Sequence, residues 1–230
     1  GTDNSSARTD AVAYWQFDEG EGNTTTDSSE NNNNGTLQYD TKWVNGTNGN
    51  ALEFDGVDDY VEIADSDLLD LGAKLTFSAW IKLDSFPDND RASVILSKYD
   101  TLDHQRSYMF FIRNTNSQIS LRAMVSDGTD SDEGKCNYDS LYPFKIGIFY
   151  HVAAVYNNDA GDSNRWHLFV NGTEIKNTVI SENSILPKNS KAPLAIGKLF
   201  DGEKPSEPKH FFNGVIDEVM IWDRNLSSDE

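Results

Sequence analysis

Two adjacent carboxylates, Asp217 and Glu218, interrupt an apolar run near the end of the sequence. The run VIDEVMIW, residues 215–222, is otherwise typical of a buried β-strand. Successive side chains of a strand point to opposite faces, so whichever face is buried carries one of the two acids with it. An unpaired buried carboxylate is costly and must be protonated, hydrogen-bonded or bound to a cation. This run is therefore the first candidate site.

Two further acidic groups could bind a cation. The first is Asp55, Asp58 and Asp59 in FDGVDDY, where a tight Asp-Gly turn is the simpler interpretation. The second is the segment SDGTDSDEGK, residues 126–135, whose acids are Asp127, Asp130, Asp132 and Glu133. An EF-hand-type loop needs acids at alternate positions followed by glycine, and this segment breaks that spacing at its Glu-Gly pair. We predict a turn for the first group and a solvated acidic loop for the second, with a second calcium ion as the alternative.

Aromatic and polar residues beside two loops could bind a sugar. Such a site needs an exposed aromatic ring for stacking and a few fixed polar groups that bind hydroxyls. The residues that combine these properties are Tyr99, Asp100, His104, Arg106, Asn137 and Tyr138. Tyr99 and Tyr138 are the predicted stacking rings. Trp80 and Phe169 occur in apolar strand patterns and are predicted to lie in the core.

The composition restricts the partners. The 230 residues include 38 acidic and 19 basic side chains, which gives a formal net charge of -19. Nucleic-acid phosphates and anionic membranes repel such a chain, so neither is expected as a partner. Cys136 is the only cysteine, so no internal disulfide can form. No apolar run approaches the ~20 residues that span a bilayer, and membrane insertion is not expected.

Short apolar runs, each about one strand long, recur along the chain. Asn, Gly, Asp and Ser separate them, and none shows a sustained period of 3.6 residues. The segment SDLLDLGA, residues 66–73, could form one helical turn. About eleven strands without a strong helix predict an all-β sandwich, jelly roll or barrel. We expect residues 11–230 to form one domain and the polar residues 1–10 to be a linker.

Eight short sequence motifs occur in a fixed order along residues 11–230. They are YWQFDEGEGNTTTDSSENNNNGTL, GNALEFDGVDDYVEI, LTFSAWIKLD, ILSKYD, YHVAAVYN, LFVNGTEI, PLAIGK and FFNGVIDEVMIWDRNLSSDE. In this order they resemble the laminin-G-like, concanavalin A-like jelly-roll domains of secreted and surface proteins, especially bacterial multidomain ones. Tyr150 departs from the tryptophan usual there, and the acidic stretch 127–145 resembles an insertion. The resemblance implies an all-β, two-sheet antiparallel jelly-roll sandwich with one concave face.

The resemblance also implies a structural calcium ion. In such domains calcium commonly joins the first and last strands beside the loop before the second strand, and it takes ~6–8 oxygen ligands. The matching positions here are Asp18, Asn45, Gly49, Asn50 and Asp217. We therefore expect Ca2+ at these residues, with Gly49 supplying its carbonyl. The alternative is an Asp217 that accepts backbone hydrogen bonds or faces water. Glu218 is expected to be exposed or salt-bridged.

The implied fold occurs in binding domains and in glycosidases. Related hydrolases place paired acids as Glu-x-Asp-x-x-Glu, or close variants, on one concave strand, and no such run occurs here. Retaining hydrolysis requires two carboxyl groups on one face, ~5–5.5 Å apart. Strand alternation would place Asp217 and Glu218 on opposite faces, so enzyme activity is not expected.

We therefore predict a non-catalytic, calcium-stabilised, lectin-like carbohydrate-binding domain of an extracellular or cell-surface protein. That protein would be an adhesin or a polysaccharide-degrading enzyme that carries the domain as an appendage. The expected partners are a glycan or polysaccharide and neighbouring domains of a larger chain. The alternative is a structural spacer or protein-interaction domain without a sugar site. A glycoside hydrolase or lyase is the third interpretation.

Overall fold

The computed structural model describes residues 10–101, 104–129, 131–161, 164–176, 178–201 and 210–230. Within these ranges the chain consists of strands and two single-turn 3-10 helices, Asp67–Leu69 and Asp132–Gly134. The strands are β1 (Ala13–Trp15), β2 (Thr24–Thr25), β3 (Gly35–Gln38), β4 (Lys42–Asn45), β5 (Asn50–Asp55), β6 (Tyr60–Ile63), β7 (Lys74–Leu83), β8 (Ala92–Asp100), β9 (Gln105–Thr115), β10 (Gln118–Ser126), β11 (Lys135–Leu141), β12 (Phe149–Asn157), β13 (Trp166–Val170), β14 (Thr173–Ile175), β15 (Thr178–Glu182), β16 (Leu194–Ile196) and β17 (Asn213–Trp222).

The strands form two antiparallel sheets. The first, sheet A, has the order β14-β13-β12-β7-β17-β5-β4, and β1 also pairs with β17. The second, sheet B, has the order β15-β11-β10-β9-β8-β16-β6-β3-β2. The last strand thus lies inside sheet A, between β7 and β5, and beside the first strand.

Apolar side chains from the two inner faces form one continuous core. The ring centre of Phe77 in β7 lies 5.1 Å from that of Tyr108 and 6.2 Å from that of Phe110, both in β9. Trp15 and Trp166 are fully buried in the same core. Burial of a large apolar side chain stabilises the fold by roughly 1.5–3 kcal/mol. Two sheets packed in this way confirm the predicted jelly-roll sandwich.

The helical turn expected within residues 66–73 is confirmed as the first 3-10 helix. The Ser66 side chain caps it by accepting the Leu68 backbone N–H at 3.3 Å, and Leu69 is fully buried. Among the residues that the structure describes, no helix is long and apolar enough to cross a membrane.

The acidic stretch 127–145, which resembles an insertion, contains a strand of sheet B. β11 pairs with β10 on one side and β15 on the other. Cys136, Tyr138 and Ser140 are buried, whereas the residues between them are partly exposed. This period of two is that of a strand with one face on the core.

Candidate functional site

The two adjacent acids of β17 occupy a β-bulge. The register between β17 and β7 shifts between Asp217 and Met220, and Glu218 has a positive φ of 51°. Ile216 and Val219, on either side of the bulge, both pack into the sandwich core. The extra residue therefore directs both carboxylates away from the core, toward one loop. The expectation that the two acids occupy opposite faces is wrong, because it assumed strict alternation.

The same bulge divides the edge of β17 between two partner strands. β5 pairs with β17 up to Ile216, and β1 pairs with it from Val219 onward. The segment after β1, residues 17–22, and the β4–β5 turn, residues 45–50, meet at this division. We call residues 17–22, 45–50 and 217–218 the strand junction. It contains all the residues that the sequence predicted as calcium ligands.

Asp217 is fully buried at the strand junction. Its Oδ2 accepts hydrogen bonds from the backbone N–H and the hydroxyl of Thr47, both at 2.7 Å. Its Oδ1 is buried and accepts no hydrogen bond within 3.5 Å from the residues that the structure describes. Burial raises the pKa of Asp217, the hydrogen bonds from Thr47 lower it, and the charge of Glu218 raises it further. A buried acceptor without a donor is costly, and a bound cation would satisfy it.

Glu218 is also buried, with 4% of its surface exposed. The Tyr14 hydroxyl donates a hydrogen bond to Oε2, and Asn48 Nδ2 donates one to Oε1 at 3.3 Å. The expectation that Glu218 is exposed is wrong, because the bulge directs its side chain into the space between β1 and the β4–β5 turn. Its carboxylate thus helps to hold the strand junction together.

The other predicted calcium ligands meet in the turn beside Asp217. Asp18 Oδ1 accepts the Asn50 backbone N–H at 2.9 Å, and Asn50 Nδ2 donates to the Asp18 carbonyl at 3.1 Å. Asn45 pairs with Asn50 where β4 turns into β5. Gly49 packs so closely on Asp18 that an added Cβ would lie 2.0 Å from Oδ1. These four residues therefore form one compact cluster.

Gly46 shows how close Asp217 lies to this turn. A Cβ built on Gly46 would be 2.5 Å from Asp217 Oδ2 and 2.6 Å from the backbone oxygen of Asn50. The turn therefore packs directly against the carboxylate, and the junction brings together carboxylate, amide and carbonyl oxygens, which are ligand types that Ca2+ prefers. The residues present fit a calcium ion. Part of the alternative interpretation is also observed, because Asp18 and Asp217 each accept a hydrogen bond from a backbone N–H.

The two predicted stacking rings are both buried. Tyr138 lies in β11 with no exposed surface, inside the sandwich core. Tyr99 is 6% exposed and belongs to a second apolar cluster with Met109, Phe111 and Met124, on the outer face of sheet B. The prediction that these tyrosines are exposed rings in or beside loops is wrong, because both belong to strands that bury them. Neither ring is available for stacking on a sugar in this conformation.

The predicted polar residues are only partly assembled. Asp100, His104 and Arg106 lie at the β8–β9 turn, where Arg106 donates hydrogen bonds to two backbone carbonyls and lies 5.9 Å from the Tyr99 ring centre. Asn137 lies in β11, and β10 separates it from β9. Two strand spacings amount to about 9–10 Å. The structure therefore groups the turn residues but leaves Asn137 apart from them.

A groove of about 430 Å3 lies on the outer face of sheet A. Its floor is formed by small residues, since Ser78 of β7 pairs with Ala153 of β12. Trp80 and His151, the next pair on this face, form an aromatic wall with ring centres 5.4 Å apart. Phe169 is the partner of Ala153 on β13 and continues the lining. The lining also includes Thr76, Val155, Gly172, Glu218, Met220, Trp222 and residues 226–230.

Trp80 and Phe169 are partly exposed in this groove. The prediction that they belong to the core is therefore wrong. In β7 the residues that enter the core are Phe77, Ala79 and Ile81, so the alternate position 80 faces outward. Counting this alternation along KLTFSAWIKL would have revealed the outward tryptophan.

His151 and Glu218 give the groove its polar character. Burial lowers the pKa of His151, so the imidazole is neutral at pH 7 and offers one N–H donor and one acceptor nitrogen. Glu218 lines the groove and also belongs to the strand junction. The junction and the groove therefore share a side chain.

The Asp-Gly turn predicted at residues 55–59 is confirmed. Asp55 Oδ1 accepts the Val57 backbone N–H at 2.7 Å, and Asp59 Oδ2 accepts the Asp55 backbone N–H at 3.1 Å. Carboxylate oxygens of Asp55, Asp58 and Asp59 also lie within 4.8 Å of one another.

In the acidic loop 127–134, Asp127 Oδ1 accepts the Thr129 backbone N–H at 2.9 Å. The second 3-10 helix follows at Asp132–Gly134. Asp130 lies outside the described residues. The described part of this loop contains no group of three acids close enough to share one ion.

Two face-to-face antiparallel sheets, with the last strand beside the first, define a concanavalin A-like jelly-roll domain. The chain belongs to the Concanavalin A-like lectin/glucanases superfamily, whose sequence profile matches residues 55–230. No curated protein sequence matches the chain significantly.

Several solved structures share this fold. Domain 4 of an extracellular GH43 arabinanase from Geobacillus stearothermophilus, in complex with arabinotriose, has a TM-score of 0.67 at 18% identity over 95% of both chains. The binding domain of Paraclostridial Mosquitocidal Protein 1 has a TM-score of 0.67 at 16% identity, over 96% of this chain and 51% of that chain. A botulinum neurotoxin type C structure, from work on its entry through two ganglioside molecules, has a TM-score of 0.65 at 14% identity, over 99% and 51%. This chain spans about half of each toxin chain.

Proposed function

We propose that this chain is a non-catalytic glycan-binding domain and that the groove on sheet A is its sugar site. The observation that carries this proposal is the combination of an aromatic wall, Trp80 and His151, with a floor of small residues, Ser78 and Ala153. Sugar rings present apolar C–H faces that pack on aromatic rings, while their hydroxyls need fixed polar partners. The groove supplies both kinds of contact.

Each polar group of the groove has a defined role in this proposal. Neutral His151 can donate to one hydroxyl and accept from another, the Ser78 hydroxyl can do the same, and Glu218 can accept. The aromatic side chains come from neighbouring strands of one sheet, so the site is largely preformed. Sugar contacts mostly replace hydrogen bonds to water, so we expect a dissociation constant of roughly 10 µM to 1 mM, equivalent to about 4–7 kcal/mol.

The related structures support the same function. The arabinanase domain is extracellular and was solved with arabinotriose, and entry of the type C neurotoxin into cells depends on two ganglioside molecules. By analogy, this chain would be a module of a secreted or cell-surface protein, either an adhesin or an appendage of a polysaccharide-degrading enzyme. Neighbouring domains would then determine its biological role.

We also propose that Ca2+ binds at the strand junction. The buried Asp217 Oδ1 without a hydrogen-bond donor supports this ion. The residues that would hold it are Asp18, Asn45, Asn50, Asp217 and the carbonyl of Gly49. Calcium would neutralise Asp217 and connect β1, β5 and β17. Because Glu218 belongs to both sites, the ion would also fix one end of the groove.

The acid pair is better suited to structure than to hydrolysis. A glycosidase needs two carboxyl groups that face the scissile bond from its two sides. Here Oδ2 of Asp217 is held by Thr47, and both oxygens of Glu218 are held by Tyr14 and Asn48. We therefore propose that the domain binds glycan without cleaving it.

Replacing the groove tryptophan tests the proposal. After a glycan array identifies a neutral ligand, Trp80→Ala should weaken its binding roughly tenfold, since aromatic packing contributes up to ~1.5 kcal/mol beyond area burial. The melting temperature should change little, because Trp80 is partly exposed outside the core. Titration calorimetry and thermal melts measure the two effects.

Tyr39→Ala is the matched control, because Tyr39 is a 69% exposed ring outside the groove and its loss should not alter binding. If the folded domain bound no glycan on a broad array, the spacer interpretation would replace the proposal. Steady release of reducing ends from a polysaccharide would show that the domain is an enzyme.

A further inference from the structure

Three of the seven arginines of the chain lie on two neighbouring strands of sheet B. They are Arg106 and Arg113 in β9 and Arg122 in β10. Arg122 pairs with Phe111, and Arg113 pairs with Ser120, so Arg113 and Arg122 are diagonal neighbours on the outer face. In a chain with a net charge of -19, two adjacent guanidinium groups need a physical reason.

Arg122 is held in a fixed orientation. Its Nη2 donates to Asp139 Oδ2 at 2.8 Å, and its guanidinium lies 5.8 Å from the ring centre of Phe111. The side chains of Arg122 and Asp139 are only 14% and 17% exposed. An ion pair combined with a cation–π contact fixes the plane of the guanidinium.

Arg113, unlike Arg122, has a guanidinium that is not held by an acidic side chain of the described residues. Its guanidinium makes no hydrogen bond or salt bridge with any residue in the described part of the chain, and its Nε is buried without a partner. Burial and the charge of Arg122 lower the pKa of Arg113, while Asp90 and Asp139 act in the opposite sense from beyond salt-bridge distance. A half-buried cation beside a second cation is costly unless an anion compensates it.

We propose that Arg113 and Arg122 form an anion subsite for the carboxylate or sulfate group of an acidic glycan. This inference rests on the proposed glycan-binding function and adds a second contact surface, since the outer face of sheet B is opposite the groove. A guanidinium presents a planar fork of N–H donors that matches an oxyanion. Phe111 is buried beneath Arg122 and belongs to an apolar cluster with Val94 and Met109, which supports the orientation of the guanidinium from below.

Three oligosaccharides of equal length test the subsite by titration calorimetry at low salt: a uronate oligomer, a sulfated oligomer and a neutral oligomer. The first two separate the carboxylate from the sulfate as the preferred anion. Arg113→Gln should weaken the preferred acidic oligomer roughly tenfold and leave the neutral one unchanged. Trp80→Ala should weaken the neutral oligomer and leave the Arg113-dependent part intact.

Two further variants make the result specific. Arg113→Lys keeps the charge but not the fork, so it should recover only part of the acidic binding. Lys42→Gln removes one positive charge from an exposed position on β4 and should change neither ligand. Acidic binding that Arg113→Gln leaves unchanged would overturn the subsite while glycan binding stands. Binding of none of the three oligomers would overturn both proposals.

Discussion

His151 is partly exposed and Asp217 is fully buried, and the pKa values of these two titratable groups shift in opposite directions. Burial lowers the pKa of His151 and raises that of Asp217. In both cases the fold disfavours the charged form. For His151 the cost is avoided at neutral pH, because the ring is neutral. For Asp217 a bound cation would offset the cost of the charged carboxylate.

The lowered pKa of His151 predicts a loss of stability as the pH falls. Above about pH 6.5 the ring is neutral in the folded and unfolded states. Below that value the unfolded chain binds a proton that the folded groove disfavours, so the free energy of unfolding decreases. His151→Gln should therefore show a smaller drop in melting temperature than the unmodified domain between about pH 7.5 and pH 5.

His167→Gln is the control, because it removes a histidine from sheet A and leaves His151 in place. It should keep the full drop attributed to His151. The same drop in His151→Gln as in the unmodified domain would show that the groove histidine is protonated as easily when folded as when unfolded.

Strand β7 shows how much of the fold the sequence predicts. Its apolar residues alternate regularly, and Phe77, Ala79 and Ile81 enter the core as that pattern requires. β11 contains few apolar residues, so its sequence does not indicate a strand, although Cys136 and Tyr138 keep the same period. Periodicity is a local property of the sequence, so it predicts strands and the two-sheet class well.

The bulge in β17 and the groove could not be predicted in this way. A bulge depends on how a strand pairs with its neighbour, so the direction of Glu218 is decided by β7 as much as by its own sequence. The groove floor likewise needs Ser78 and Ala153 to be cross-strand partners, and nothing in either segment specifies that pairing. That Asp18, Asn50 and Asp217 lie close together was expected only from the family resemblance, which carries long-range pairing implicitly.

Gly214, at the start of β17, has a conformation that only glycine adopts easily. Its φ is 139°, and an added Cβ would lie 2.0 Å from the Lys82 carbonyl oxygen of the neighbouring strand. Gly214→Ala must therefore shift one strand against the other and should lower the free energy of unfolding by at least ~1 kcal/mol. Chemical denaturation measures this change.

Gly72→Ala provides the comparison, because within the described part of the chain no atom beyond its two neighbouring residues lies within 4 Å of the added Cβ, and its φ is not positive. It should leave stability unchanged or raise it by up to ~1 kcal/mol. Equal losses in the two variants would mean that the close approach of β17 and β7 does not limit this position.

The domain as a whole carries an acidic excess that opposes its compact state. A net charge of -19 on 230 residues produces self-repulsion. Two of these acidic groups, Asp217 and Glu218, are buried at the strand junction, where their carboxylates are costly. Cation binding would therefore act on the stability of the entire sandwich as well as on its local geometry.

Calcium should raise the melting temperature of the domain. A ligand that binds only the folded state at about 100 times its dissociation constant adds ~2.7 kcal/mol, or roughly 5–10 °C for a domain of this size. Asp217→Asn keeps an acceptor for Thr47 but removes the charge, so it should abolish most of this rise. Thermal melts in excess chelator and in millimolar calcium provide the measurement.

Asp58→Asn should retain the calcium response, because Asp58 lies in the separate turn at residues 55–59. Equal losses of the response in both variants would place the ion elsewhere. Identical melting curves with chelator and with calcium would overturn the calcium proposal.

The antiparallel pairing of β1 with β17 has a mechanical consequence. Ala13 lies opposite Ile221, and just beyond the pair Asp10 and Arg224 form a salt bridge at 2.7 Å, so the two flanking segments leave at the same end. A pulling force applied between these two segments would separate β1 from β17 by breaking their hydrogen bonds one at a time. This requires a lower force than sliding one strand along the other. Opening would proceed toward the bulge, where an ion bound by Asp217 would arrest it. The strand junction would then determine the force at which the sandwich unfolds.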